Sequence, residues 1–339
     1  MKAAVFHKPG QPLSIETVDD PTPGKGEAII KIKHCGICGT DLHATEEHST
    51  AADGTVMGHE FAGEIVDFGT DKPAGWKEGD RLCSIPFLGC GECVPCQLGR
   101  PWNCGQRKII GSDVTGGYAE YTRVHLNEAI KLPESVSWKE GAVVEPLAVG
   151  IHGVRAASSI EGKNILIIGA GPIGLATALW CNFFGARQVV ISELDQGRAD
   201  MAMRFGATAM VDATGDVAAQ FQHIAGAGPD IIFECVGIPG MIGQCVMMAP
   251  FGCEVVVVGF CVHPDTFMPA VAMAQEVTMK FVIAYTKDDF QFVVDMIASD
   301  RVNVEHMVTD IVGFEEFPDS FEALRTPSDQ CKVLLDPFA

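Results

Sequence analysis

The sequence predicts an α/β protein of two domains, a β-rich one followed by a doubly wound parallel sheet. Three observations carry this. Short β-like runs between Gly/Pro turns, such as Ala28–Lys33 and Gly63–Phe68, fill residues 1–150. Strands and helices alternate through 151–284, which implies parallel strands joined by right-handed crossovers. A glycine-rich turn, Gly169-Ala-Gly171-Pro172-Ile173-Gly174, joins the first strand of that alternation to its first helix. The remaining segment, 285–339, holds a helix over Asp288–Ser299, an acidic loop and a last strand, Lys332–Leu335.

Composition narrows the function. The 339 residues carry 24 basic and 44 acidic side chains, a formal net charge of −20, which repels nucleic acid and anionic membranes. A hydrophobic fraction of 47% excludes a disordered chain. Thirteen cysteines cannot all pair, so reduced thiols or metal ligands are expected in a cytoplasmic setting. Two uncharged runs, Asn164–Ala186 and Cys235–Cys253, are long enough to raise the question of a membrane span. Glycines and prolines interrupt both, so they read as buried strand–turn–helix segments. The N-terminus lacks the apolar core of a signal peptide.

Within 151–284 the strands fall at Ile165–Ile168, Gln188–Ser192, Ala209–Val211, Asp230–Cys235, Glu254–Val258 and Thr278–Val282. Helices at Ile173–Phe184 and Gln196–Phe205 lie between them. The glycine turn is a dinucleotide fingerprint by placement. Gly169 permits the tight turn, Gly171 lets backbone amides approach a pyrophosphate, and Gly174 lets helix and strand pack closely. The helix start at Pro172 and Ile173 adds partial positive charge for the phosphates. Glu193, 24 positions after Gly169, suits a ribose 2′-hydroxyl and repels a 2′-phosphate, which favours NAD; Arg198 leaves some tolerance of NADP. Val236 and Gly259 follow the fourth and fifth strands and are further cofactor contacts. The alternative is that the glycines only shape a turn.

Cys90-x2-Cys93-x2-Cys96-x7-Cys104 gathers four thiols within 15 residues among glycines and prolines. Four thiolates on a flexible loop suit a closed tetrahedral zinc site with a structural role; an iron–sulfur cluster is the main rival. Separately, Cys38-Gly39-Thr40-Asp41-Leu42-His43, Gly58-His59-Glu60 and Glu145-Pro146-Leu147 together offer a thiolate, an imidazole and one or two carboxylates. Zinc accepts that set with a position left open.

These motifs taken together (GHE-x2-G-x5-G over 58–69, CGTD-x-H, the four-cysteine loop, GAGPIG and VEPLAVGIH) resemble the zinc-dependent medium-chain alcohol/polyol dehydrogenases along essentially the whole chain. Its texture is most similar to the sorbitol, threonine and butanediol dehydrogenase branch. The resemblance implies a GroES-like β-rich catalytic domain (1–150, with its zinc loop at about 89–105), a Rossmann domain (151–284), and a C-terminal segment (285–339) that completes the first domain. It implies NAD and two zinc ions per chain. Cys38 and His59 would be ligands of the catalytic zinc, with Glu60 and Glu145 both candidates for the third place. Thr40 would hydrogen-bond the substrate oxygen, and His43 would relay its proton to solvent by way of the nicotinamide ribose.

The chain departs from the polyol pattern at Ala284, beside Ile283, where those enzymes carry an arginine that holds substrate hydroxyls. A methyl group in place of a guanidinium predicts an apolar pocket, with Phe87, Leu88, Leu147 and Phe260 as further lining candidates. The expected substrate is a hydrophobic secondary alcohol, cyclic or aromatic ones included, or its ketone, the alternative being a polyol, diol or amino alcohol. Lys72 departs from the zinc signature in a surface loop. A zinc-free quinone or enone reductase on the same scaffold is disfavoured by Cys38, His59 and Glu60, and a non-enzymatic role by the intact site as a whole. The Thr278–Val282 strand would be an exposed apolar edge if unpaired, so a homodimer or homotetramer through that edge is expected.

Overall fold

The apolar run that starts at Asn164 is a strand, Asn164–Ile168, buried along its whole length at the centre of a six-stranded parallel sheet. Numbered in chain order, the strands Asn164–Ile168, Gln188–Glu193, Ala209–Asp212, Ile231–Glu234, Glu254–Val257 and Thr278–Phe281 lie in the order 3-2-1-4-5-6. That is the doubly wound Rossmann order, whose direction reverses between strands one and four. Ile168 pairs with Ser192 on one side and Glu234 on the other, so the chain leaves strand one at the crevice where ligands of such sheets bind. The inner strands are covered on both faces, which explains their unbroken Val/Ile sequence. Strand six is the edge and stays largely uncovered.

This sheet and its helices form one unit, Pro146–Tyr285; Met1–Glu145 and Thr286–Ala339 form the other. The computed structural model describes residues 1–47, 51–326 and 328–339. The division falls after Glu145, not after residue 150, and runs through the helix Val144–Ala156. Pro146 lies in the first turn of that helix, where a missing N–H costs nothing. No helix among the described residues is long and apolar enough to cross a membrane.

The first unit is built on a seven-stranded sheet. Its path runs Val308–Val312, Lys332–Leu335, Glu27–Gly36, Glu60–Phe68, Arg81–Ser84 and Ala129–Lys131, with Tyr121–His125 also paired to Glu27–Gly36. Its register places the functional segments together. Gly36 faces Glu60 across an antiparallel pair, which carries Cys38, just past the strand end, toward His59. On the opposite side Leu334 faces Gly36 and the Ile37 amide bonds the Val333 carbonyl at 3.0 Å, so Lys332 arrives beside Cys38. Residues 285–339 therefore contribute strands to the sheet of the first unit.

Element boundaries differ from the sequence reading by a residue or two at strand and helix ends. The larger difference is the acidic loop expected after residue 299. It contains a strand, Val308–Val312, and a helix, Phe317–Ala323. Exposed acidic residues dilute their hydrophobic signal, but Phe317 and Phe321, four apart on one helix face, are both buried in the core.

Candidate functional site

The helix Gly39–Ala44 follows directly from the Glu27–Gly36 strand and starts at Cys38. Ligand atoms of Cys38, His59 and Glu60 lie within 4.8 Å of one another. The structure brings these three together; Glu145, buried in the first turn of its helix, is not in the group. The Thr40 hydroxyl donates to Cys38 Sγ at 3.2 Å. His43 is exposed on the same helix, its Nδ1 3.0 Å from Glu46 Oε1.

Gly58 precedes the histidine because nothing else fits. Its φ is +95°, and a Cβ there would stand 2.5 Å from the Tyr118 ring and 2.8 Å from Cys35 Sγ. His59 Nδ1 faces Asp41 Oδ1 at 3.3 Å, while Asp41 Oδ2 accepts the Cys38 N–H at 3.2 Å and the Tyr118 hydroxyl at 2.5 Å. One buried carboxylate thus holds the backbone of one candidate ligand and the ring of another. Burial opposes both charges, but the facing pair outweighs it. The Asp41 carboxyl is held below its ordinary pKa, and the His59 imidazole, between Asp41 and Cys38, is held well above its own.

Glu60 is equally enclosed. The Lys332 ammonium donates to Glu60 Oε1 at 2.5 Å and to the Ile37 carbonyl at 3.0 Å, with both side chains at 2% exposure or less. Glu60 Oε2 is buried without a hydrogen-bond partner among the described residues. An orphaned carboxylate oxygen beside a thiol and an imidazole is a donor set that fits a zinc ion. Asp41, Tyr118 and Lys332 were missed in the sequence. The only local signal was the aspartate inside the CGTD run; the other two act across long sequence separations.

The four loop cysteines also converge, with sulfur atoms within 4.8 Å of one another. A one-turn helix, Val94–Gln97, and a 3-10 turn, Pro101–Asn103, fold the loop back on itself. Backbone amides point at the sulfurs: Cys90 and Gln106 N–H to Cys104, at 3.5 and 3.3 Å, and Cys93 N–H to Cys90, at 3.4 Å. The Glu92 and Cys93 N–H groups lower the Cys90 thiol, and those of Cys90 and Gln106 bring Cys104 down to about 6. Burial pushes Cys93 up and Cys96 up to about 12, so the backbone donors favour the thiolate at two of the four sulfurs.

In the second unit the glycine turn has the predicted shape. Gly169 has a φ of +95°, and a Cβ on Gly174 would collide with the Gly169 carbonyl. Gly171 caps the helix Pro172–Phe183, and a Cβ there would meet nothing within 4 Å, so space remains in front of the helix N-terminus and its free amides. That space fits a pyrophosphate. Glu193 reaches back from the end of strand two: Oε2 accepts the Ala170 N–H at 2.7 Å, and Oε1 accepts those of Leu194 and Asp195. Arg198 lies in the first turn of the following helix, its N–H capped by Asp195. The Val236 side chain leans over Gly169, and Gly259 packs against Gly237. Sequence reasoning also missed Glu234, buried at the end of strand four, which holds this turn by accepting the Val236 and Gly237 N–H groups at 2.7 and 2.8 Å.

The expected substrate-pocket residues are divided between the units. Phe87 packs its ring 6.4 Å from Trp102 of the cysteine loop, in the first unit. In the second, Leu147 lies wholly in the core, its carbonyl accepting the Trp180 indole N–H at 2.9 Å. Ile283 is 60% exposed, and Ala284 has a φ of +57°, the left-handed region that a non-glycine residue enters only under constraint.

Comparison with known proteins identifies the family. Residues 24–134 match the alcohol dehydrogenase GroES-like domain, and residues 172–299 match the zinc-binding dehydrogenase domain. A sorbitol dehydrogenase of Arabidopsis thaliana is 31% identical over 337 residues, covering 96% of this chain and 92% of its own. Among solved structures, a putative zinc-binding dehydrogenase of Sinorhizobium meliloti 1021 bound to NADP superposes with a TM-score of 0.89 at 30% identity, covering 99% of each chain. A protein of Escherichia coli CFT073 described as a short chain alcohol dehydrogenase, complexed with NADH, superposes with a TM-score of 0.89 at 27% identity, again covering 99% of each. The chain belongs to the zinc-dependent medium-chain alcohol dehydrogenase family, oxidoreductases that act on CH–OH groups.

Proposed function

We propose that the protein interconverts a hydrophobic secondary alcohol and its ketone with NAD, using a zinc ion held by Cys38, His59 and Glu60 and a second, structural zinc held by Cys90, Cys93, Cys96 and Cys104. The observation that carries the reading is the convergence of the Cys38, His59 and Glu60 ligand atoms within 4.8 Å, with the Thr40 hydroxyl on the Cys38 sulfur. When bound, the zinc supplies a Lewis acid for the substrate oxygen and the nicotinamide supplies the hydride acceptor. The Thr40 hydroxyl would take up the proton that leaves the alcohol as it gives up its own. His43, exposed to water, passes it on to solvent, with Glu46 orienting its Nδ1. Asp41 fixes the His59 ring so that its other nitrogen faces the site. Lys332 balances the buried charge of Glu60.

NAD is the preferred cofactor in this reading. The Glu193 carboxylate beside the glycine turn accepts hydrogen bonds from a 2′-hydroxyl and repels a 2′-phosphate. The substrate class rests on Ala284, which replaces the hydroxyl-binding arginine of polyol enzymes. Assay of an alcohol and ketone panel with both cofactors tests it: kcat/KM should be higher for cyclohexanol and phenyl-substituted alcohols than for sorbitol, and higher with NAD than with NADP. A preference for sorbitol would establish the polyol reading instead. Elemental analysis should find two zinc ions per chain, and one or none in an active preparation would overturn the catalytic-site assignment.

The same reading includes self-association. Phe281, at the uncovered edge of the parallel sheet, is 65% exposed in the single chain. Pairing of that edge with a second copy removes the liability of an unpaired apolar strand. Analytical ultracentrifugation at micromolar concentration should give a dimer or tetramer, and a monomer would refute this part of the reading.

A further inference from the structure

We propose that Tyr118 is a positioning residue for the metal site, acting through Asp41 on His59 and Cys38 together; this rests on the assignment of those two residues as ligands. Tyr118 is fully buried in the apolar core of the first unit, where a phenol hydroxyl requires a partner. It has two: it donates to Asp41 Oδ2 at 2.5 Å and approaches the Gly36 carbonyl at 3.4 Å. Asp41 Oδ2 also takes the Cys38 N–H at 3.2 Å, so two donors converge on one oxygen and leave Oδ1 to face His59 Nδ1 at 3.3 Å. A carboxylate otherwise free to rotate about its terminal torsion is thereby given one orientation. That orientation decides which oxygen the imidazole meets.

The phenol is itself locked in place. Its ring packs edge-on against Phe317 and Phe321 of the C-terminal segment, with centroids at 4.8 and 6.3 Å. Its backbone N–H donates to the Met57 carbonyl at 3.0 Å, and the neighbouring Gly117 N–H donates to that of Gly58 at 2.7 Å. Tyr118 is thus zipped to the loop that delivers His59, and its ring fills the slot where a Cβ on Gly58 would stand. A packing role would need the ring alone. Phenylalanine would fill the core equally well, so the hydroxyl aimed at Asp41 is the part that a structural role leaves unexplained.

Tyr118→Phe separates the two roles. In the full-length chain, competition with a chromophoric chelator should show the zinc at Cys38, His59 and Glu60 bound about tenfold more weakly, within the range seen when partners of metal ligands are removed. The visible absorption of cobalt(II) placed at that site should shift. The zinc of the four-cysteine loop and the NAD dissociation constant should not change. Phe317→Leu is the control: it loosens the ring but keeps the hydroxyl, and should lower Tm without weakening zinc. Parental zinc affinity and an unshifted cobalt spectrum in Tyr118→Phe would overturn the proposal, as would equal zinc weakening in Phe317→Leu. A parent chain that holds metal only at the four-cysteine loop would overturn the ligand assignment, and this inference with it.

Discussion

Cys38→Ser is expected to lower kcat/KM for alcohol oxidation by at least about a thousandfold while NAD still binds. A serine hydroxyl does not ionise near neutral pH, so it offers neither the charge nor the soft donor of a thiolate. Loss of the Lewis acid removes several kcal/mol of transition-state stabilisation, and each 1.36 kcal/mol is about tenfold in rate. The substitution also strips Thr40 of the sulfur that its hydroxyl contacts. NAD binding survives because the glycine turn, Glu193 and Glu234 all belong to the other unit. Cys104→Ser provides the contrast. Its sulfur receives two backbone N–H groups inside the folded cysteine loop, so its loss should free that loop and lower Tm, with activity falling only as the fold does. Both variants should retain one zinc per chain by elemental analysis, but only Cys38→Ser should be inactive at a temperature where it is folded. Comparable turnover in the two would disprove the assignment of separate catalytic and structural sites.

How much of this was legible in the sequence depended on how locally each feature is encoded. The parallel sheet was legible because its strands are continuous apolar runs, each closed by a turn. The cysteine loop was legible because four thiols within 15 residues leave little freedom. Glu60 and Glu145 could not be told apart from motifs, since both follow plausible signatures. Sheet register separates them in space: Gly36 opposite Glu60 brings that carboxylate to Cys38. Tyr118 and Lys332 were invisible for a related reason. Each makes a single decisive contact, 77 and 272 residues away in the chain, and neither belongs to a ligand pattern. Lys332 opens a short apolar strand, where a lysine ordinarily reads as the exposed end. Only the strand pairing reveals that it points inward, at a carboxylate.

That inward lysine sets the largest expected effect on stability. Moving an ammonium and a carboxylate out of water is costly, and the pair is tolerated because Lys332 Nζ has both Glu60 Oε1 and the Ile37 carbonyl as partners. Burial disfavours the ammonium, but Glu60 outweighs it and holds the lysine above its ordinary pKa, so the ammonium keeps its charge. Lys332→Met keeps the length of the side chain and removes the charge. Glu60 Oε2 already has no hydrogen-bond partner among the described residues, so the variant leaves a buried carboxylate unpaired at both oxygens. Breaking one side of a buried pair costs about 3–5 kcal/mol, which lowers Tm by on the order of 10 °C. Removing the second charge as well should return much of this, because a neutral pair no longer demands compensation. Lys332→Met/Glu60→Gln is therefore expected to be more stable than Lys332→Met alone. Zinc should act in the same direction, since a cation beside Glu60 replaces the missing ammonium. The deficit of Lys332→Met should be larger in chelator-treated protein than in zinc-loaded protein, and the double variant should show little such difference. Thermal denaturation of the parent chain, Lys332→Met, Glu60→Gln and the double variant, with and without chelator, measures the coupling directly. Equal deficits for Lys332→Met in both states would mean that Glu60 does not face the metal, and the third ligand would have to be sought elsewhere.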